Sequence, residues 1–583
     1  MERFIRFGKK SNSIFYFLYI PFLLFQCRTD RRDAFKIPTD SYSIIQGKKL
    51  FTFHCGSCHN FHFDGIGPGL AGITDRVPIG WIQDFISNSS KMIDSGDDRA
   101  NQLYKKFKVP MPAFGGLGDT AIHQIISYLH TRKPIPLSNK YKDRMEVINP
   151  IPDTIEMSHL VLDLKLIHTF PVSNANATAP LARITKLDYE VHTGQSYVLD
   201  MNGILYRMVK DSPQVYFELP KHIDHYLNQP GLSSGFAQFA FHPEFYKNGL
   251  LYTAHSEPAA TKPADFTFED TLECAMQFVI SEWKTNDPNS SKFNGTQREL
   301  MRIDMVSKAH GVQEISFNPT AQSGSDDFGL LYIAVGDAGA GENRYPFLLN
   351  SPSRVWGTIM RIDPDPKHAN RVTSKNGKYS IPLSNPFVAT KGALKEVYAY
   401  GFRNPHRITW TKNGYLLVSN IGHGDIEALD LVQAGQNFGW PYMEGNWLID
   451  PYGDLTKIYA PIETDTFTKK ISRAVAQFDH DEGKAIAGGF EYTGSIPGLK
   501  GKFITGDIPI GNIYYANISE IAPGKNAKLY ECRLAIDGKI IQLKDVANKN
   551  RLELHFGKDS KGEIYLMTKV DGRLYKVSGA RYL

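Results

Sequence analysis

Cys55-Gly56-Ser57-Cys58-His59 sets two thiols three residues apart and puts an imidazole directly after the second. That is the spacing for covalent c-type haem attachment, in which both sulfurs form thioethers and the histidine reaches the iron from one side. A redox dithiol needs no His59. A zinc site needs a second ligand pair, and the chain has no second Cys-x-x-Cys. Working outward, the stretch from Tyr42 to Phe53 reads as an amphipathic helix, and Gly65-Ile66-Gly67-Pro68-Gly69-Leu70 is a loop suited to backbone packed close to a flat ring. Pro110-Met111-Pro112 holds a thioether on a stiff, non-helical segment, a good mount for a soft sixth ligand to iron. Met92, His62 and His123 are the competing ligands. Asp119 is placed to cap a closing helix from Thr120 to His130, with Ile122, Ile125, Ile126 and Leu129 at helical spacing.

These features together make residues 42–132 resemble a class I cytochrome c along their whole length. The resemblance implies haem c on Cys55 and Cys58, with His59 and Met111 as axial ligands.

The 583 residues exceed one ordinary domain, and 42% hydrophobic with 22% charged residues is a globular composition. A net charge of +5 without a dense basic cluster argues against nucleic-acid binding. Arg3, Arg6, Lys9 and Lys10 precede an apolar run, Ile14 to Phe25, about the length of a secretory signal. The chain is therefore expected to be exported, as a periplasmic or outer-side membrane-anchored protein. Cys27, followed by a polar tether, is a candidate for lipid attachment, and simple cleavage or an uncleaved anchor are the alternatives. Haem attachment to Cys-x-x-Cys-His belongs to the same side of a bacterial membrane. Cys274 and Cys532 are either a disulfide or two separately buried thiols.

After residue 132 the texture changes. Residues 133–154 carry prolines and polar residues without period and read as a linker. Beyond it, short strands bounded by glycine and Asp/Asn recur six times, at Ser196–Asp200, Gly249–Ala254, Leu330–Asp337, Tyr415–Asn420, Lys502–Asp507 and Glu563–Met567. Several are followed by a second short strand, as at Gly203–Arg207 and Gly511–Tyr515. Even distribution over residues 155–583 fits a six-bladed β-propeller, with a tandem of β-sandwiches or another blade number as alternatives. The expected whole is multidomain: signal 1–27, tether 28–41, a small all-α cytochrome c domain 42–132, linker 133–154, then an all-β six-bladed propeller.

Three loops of the second region are rich in unexpected polar residues. His310 sits beside a glycine just before a strand. Arg403 and Asn404 precede the turn fixed by Pro405, where a rigid arginine can meet a planar anion. Gly422-His423-Gly424-Asp425 has free carbonyls beside carboxylates, a setting for a hard cation. A structural histidine, a surface arginine and a polar turn are the plain alternatives.

With Gly235–Phe245, Tyr398–Pro405 and Gly435–Pro441, these loops resemble the soluble glucose/sorbosone dehydrogenases, which use pyrroloquinoline quinone (PQQ). The resemblance implies a six-bladed propeller and assigns His310 as catalytic base. It puts Arg403 and Asn404 on PQQ, with Arg403 polarising the reacting carbonyl, and gives calcium to the main-chain oxygens of Gly422 and His423. Ala309, Ser233, Pro509-Ile510 and the Leu552/Leu554 region depart from the family pattern, and Arg551 or Lys558 are candidate replacements for its basic residues. His242 reads as structural. The implied protein oxidises a sugar or related alcohol and passes electrons through haem c to an external cytochrome or oxidase. The alternative is an electron-transfer cytochrome carrying a propeller that has lost PQQ and serves as a ligand-binding or interaction domain.

Overall fold

The computed structural model describes residues 36–583 except 57, 63, 65, 139, 174–179, 229–232, 270, 369 and 463. The apolar run before residue 26, and Cys27, lie outside the described residues. Among the described residues no helix is long and apolar enough to cross a membrane.

The leading region is helical, with helices Ser41–His54, Ile79–Asp94, Asp98–Phe107 and Asp119–His130. Asp40 starts the first by accepting the Ser43 amide at 2.8 Å, and Asp97 caps the third through the Ala100 amide. The closing helix begins differently from the sequence expectation. Gly118, at φ 79°, is its N-cap, and Asp119 lies inside the first turn, where it accepts from Gln83 Nε2 at 3.2 Å. Only glycine takes that backbone conformation cheaply, so backbone geometry rather than a carboxylate sets the start. The apolar stripe is as read: Ile122, Ile125, Ile126 and Leu129 are buried with Phe51, Ile82 and Ile86. Each such side chain contributes roughly 1.5–3 kcal/mol relative to exposure.

Among the described residues of 133–155 there is no helix or strand, yet the segment is tied down. Ser138 N donates to Tyr452 O at 2.8 Å, Val147 N to Ile458 O at 3.0 Å, and Ile151 N to Asp479 Oδ2 at 3.1 Å.

The rest is β-structure. Three separate sheets are four-stranded and antiparallel: Phe236–Phe241 through Gly295–Met305, Val312–Phe317 through Val397–Tyr400, and Asn404–Trp410 through Ala476–Asp479. One larger sheet has 13 strands. Two parallel pairings, Glu156–Thr169 with Tyr530–Ile536 and Ile184–Tyr189 with Leu554–Lys558, join three antiparallel runs within it. Residues 156–169 also pair antiparallel with the final strand, Arg573–Tyr582, so the two ends of the β region close on each other. The six repeats read from the sequence are all strands, and each lies second in its antiparallel run. Apolar clusters fill the spaces between sheets, as where Phe278, Ile303, Ile333 and Trp356 meet. Cys274 and Cys532 are both free thiols, the second buried, which settles that pair as two separate residues.

Candidate functional site

The haem motif follows directly on the first helix. Cys55 N bonds Phe51 O at 2.8 Å and His59 N bonds Cys55 O at 3.0 Å, so a helical turn delivers thiol and imidazole to one place. Burial, with Cys58 beside it, pushes the Cys55 thiol up to about 12. His59 Nδ1 donates to Pro68 O at 2.9 Å, which fixes the tautomer and leaves Nε2 for iron. Burial lowers its pKa and keeps the ring neutral, the ligating form. A Cβ on Gly67 would stand 2.4 Å from His59 Cε1, so only glycine lets the loop lie this close. Met111 packs onto the same apolar cluster as Cys55, Phe61 and Trp81, while Met92 is not part of it. Ser89, fully buried, donates to the Met111 carbonyl at 2.5 Å and holds its loop. Two adjacent thiols, a neutral oriented imidazole and a thioether on one apolar core fit haem c.

The second site is assembled from distant segments. His310 is buried, with φ 48°, a left-handed conformation that is strained for a residue with a Cβ. The strain is held by tight packing, since a Cβ on Gly336 would meet His310 O at 2.4 Å and one on Gly311 would meet Phe278 Cε2 at 1.9 Å. Asp337, fully buried, accepts from His310 Nδ1 at 2.7 Å and from Trp440 Nε1 at 2.9 Å. A buried carboxylate on Nδ1 orients the imidazole and leaves Nε2 as the proton acceptor. Asp337 N also donates to Arg403 O at 2.8 Å, which ties base and arginine through one backbone link.

The Arg403 guanidinium lies 5.7 Å over the Trp440 ring and donates to Glu342 and to the Gly422 carbonyl. Despite its burial, Arg403 holds the Glu342 carboxyl far below the usual range. Glu342 also meets His423 Nδ1 at 3.3 Å. Glu444 Oε1 accepts the amides of His423, Gly424, Asp425 and Ile426 at 2.7–3.0 Å and so shapes the loop. The Gly422 carbonyl faces a guanidinium here, and among the described residues no three His, Cys, Asp or Glu gather as a metal site.

Near this web, several buried polar atoms have no hydrogen-bond partner among the described residues: Arg403 Nε, Asn404 Oδ1, His406 Nε2 and both ring nitrogens of His555. Arg551 and Lys569 both pair with Glu553, two cations on one carboxylate. That excess of positive charge and unsatisfied polar atoms fits a polar, anionic cofactor. Of the two candidate replacements, Arg551 joins this cluster, while Lys558 lies against the Phe490 ring at 5.2 Å. His242 is structural, its Nδ1 taking the Glu244 amide at 3.0 Å.

The structure thus gathers His310, Arg403, Gly422 and His423 into one web, with Asn404 next along the chain. Sequence reasoning missed Asp337, Glu342, Glu444 and Lys569. Asp337 carried a readable signal, an aspartate at a strand end before the glycines 339 and 341.

The family model for glucose/sorbosone dehydrogenase matches residues 192–576, and the one for cytochrome c matches residues 44–133. The chain belongs to the glucose/sorbosone dehydrogenase family and carries a cytochrome c domain ahead of that region. It is similar to HIPL1 protein of Arabidopsis thaliana, 28% identical over 379 residues covering 57% of this chain and 52% of that one. It is also similar to quinoprotein glucose dehydrogenase B of Acinetobacter calcoaceticus, 26% identical over 238 residues covering 40% and 44%. The chain spans about half the length of these curated relatives. Among solved structures, the apo-form soluble aldose sugar dehydrogenase of Escherichia coli is 17% identical and covers 73% of this chain and 100% of that one, with a TM-score of 0.48.

Proposed function

We propose that the chain is an exported quinohaemoprotein dehydrogenase that oxidises a sugar or related alcohol in a six-bladed β-propeller and delivers the electrons to its own haem c. The single observation that carries this is the His310–Asp337 dyad, tied by one backbone hydrogen bond to Arg403, in a chain that also bears a complete haem-attachment motif. The blade number rests on three separate four-stranded sheets plus three antiparallel runs in the larger one. The quinoprotein relative supports the cofactor.

His310 Nε2 accepts the hydroxyl proton of the substrate carbon under attack, and Asp337 stabilises the resulting imidazolium. PQQ would supply the hydride acceptor for that carbon. Arg403 and Asn404 would hold it, with Arg551 and Lys569 as further cationic partners. Trp440 keeps water from one face of Arg403 and anchors Asp337. The main-chain oxygens of Gly422 and His423 would hold calcium, in a loop where the Gly422 carbonyl also accepts from Arg403. His59 and Met111 would hold the haem iron, a ligand pair that suits a potential for receiving electrons. Lipid on Cys27 and an external cytochrome or oxidase as final acceptor complete the reading.

The experiment is reconstitution. Purified haem-loaded protein receives PQQ with Ca²⁺, then a panel of aldoses and polyols, with a soluble dye as acceptor. Dye reduction by at least one sugar is the expected result. No dye reduction, together with no thermal stabilisation by PQQ, overturns the reading. That outcome favours the second reading, a propeller that has lost PQQ and binds or contacts something else. The carboxylate of Glu342 lying on Arg403 is the observation on its side.

A further inference from the structure

Lys308 stands two residues before His310 and reaches away from it, toward the cytochrome domain. Its ammonium donates to the Thr52 carbonyl at 3.1 Å and lies 5.6 Å over the Phe53 ring. Thr52 and Phe53 are in the last turn of the helix that ends at His54, immediately before Cys55. Lys308 is only 9% exposed, so this long cationic side chain is enclosed between the two domains. Its backbone is pinned on the other side, where Ser233 Oγ donates to Lys308 O at 2.6 Å. The preceding Ser307 donates to Ala338 O at 2.7 Å, next to Asp337. A second contact lies on the same helix one turn back, an ion pair between Lys48 and Glu273. The haem-bearing helix is therefore held against the segment that carries the candidate base.

We propose that Lys308 is the positioning residue that docks the haem helix onto the His310 segment and makes this contact the route by which electrons leave the large domain for the haem. The inference rests on the proposed dehydrogenase reading. Oxidation of one alcohol to a carbonyl releases two electrons and two protons. The haem iron takes electrons singly, ferric to ferrous, so each turnover reduces it twice, with the external acceptor reoxidising it in between. His310 takes one proton and passes it to solvent, and the other, transferred with the hydride, would be released when the two electrons pass on to the haem. A burying interface that also carries a hydrogen bond into the turn before Cys55 fixes the haem at one distance and orientation, and small displacements at such contacts are costly.

The test uses the reconstituted full chain. Lys308→Met keeps the apolar stem and removes the ammonium. Sugar-driven haem reduction is expected to slow by about tenfold or more, because misplacing reacting partners by about 1 Å costs that much. Reduction of a small soluble dye by the same sugar is expected to hold, as is the haem spectrum. Haem reduction at the wild-type rate overturns the proposal. If wild type reduces no dye at all, the dehydrogenase reading has failed instead. Glu273→Lys, remote from His310, tests the same docking without touching the base and is expected to slow haem reduction in the same direction. A readout independent of PQQ is amine labelling of the haem-loaded protein. Lys308 is expected to be protected in wild type and to label about fivefold faster in Glu273→Lys, the scale of one exposed ion pair. Labelling of wild-type Lys308 as fast as the exposed Lys105 overturns the docking.

Discussion

The two halves of this molecule carry their chemistry in opposite ways. In the cytochrome domain the two candidate attachment thiols and the candidate iron ligand fall within five consecutive residues, and a single helical turn brings them together. In the large domain, residues 310, 337, 342, 403, 423 and 440 meet only because strands from different sheets end at one hub. A covalently tethered cofactor is recognised by a local motif, since the bonds themselves hold it. A cofactor held by hydrogen bonds and charge needs convergent loops, and the topology supplies them.

The sharpest break between the halves comes from Cys55→Ser with Cys58→Ser. All covalent haem should be lost on mass spectrometry, while dye reduction by the reconstituted large domain persists. Loss of both activities would mean that the halves are not chemically separable. His310→Ala makes the complementary cut, with kcat for dye reduction falling about 10²–10⁴-fold and the haem spectrum unchanged. Asp337→Asn is expected to fall less far, through a misoriented imidazole, and steady-state kinetics would place it between wild type and His310→Ala. Met111→Ala should lower the haem potential and remove the sulfur-to-iron absorption feature without loss of attached haem.

The smallest effect concerns stability. Asp430 is buried, and among the described residues only Asn420 donates to it, at 3.3 Å, while burial raises its carboxyl to about 7. The unfolded chain releases that proton near its ordinary value of 3.8. Between those two values the folded state holds the extra proton, so stability falls as pH rises from about 4 to 7. Asp430→Asn removes that fall, a gain of about 2–4 kcal/mol at pH 8 relative to pH 4.5 for a shift of this size. Asp425, raised to about 7 by burial and by Glu444, keeps part of the slope. Denaturant midpoints at the two pH values give the answer, and an unchanged slope would contradict it.

How much of this was legible follows the same division. The helix before the haem motif, the buried isoleucines of the closing helix and the six marker strands were readable because periodicity and glycine punctuation encode them locally. The cap of the last cytochrome helix was misread, because Gly118 could supply by conformation what Asp119 was expected to supply by hydrogen bonding. His310 and Arg403 were found, but their partners were not. Asp337 ends one of the marker strands and Glu342 stands in no motif, and only the folded chain brings them to the base and the arginine. The Gly422 carbonyl shows the same limit from the other side. The sequence marks a loop with free oxygens but not that a guanidinium reaches one of them.

The proposed function joins these unlike halves into one circuit. Anaerobic mixing of the PQQ- and Ca²⁺-reconstituted protein with an oxidisable sugar, followed at the haem absorbance, tests it in one trace. Ferric haem is expected to turn ferrous in a first-order phase whose rate is independent of protein concentration. Haem that stays ferric while the same sample reduces the soluble dye would contradict it.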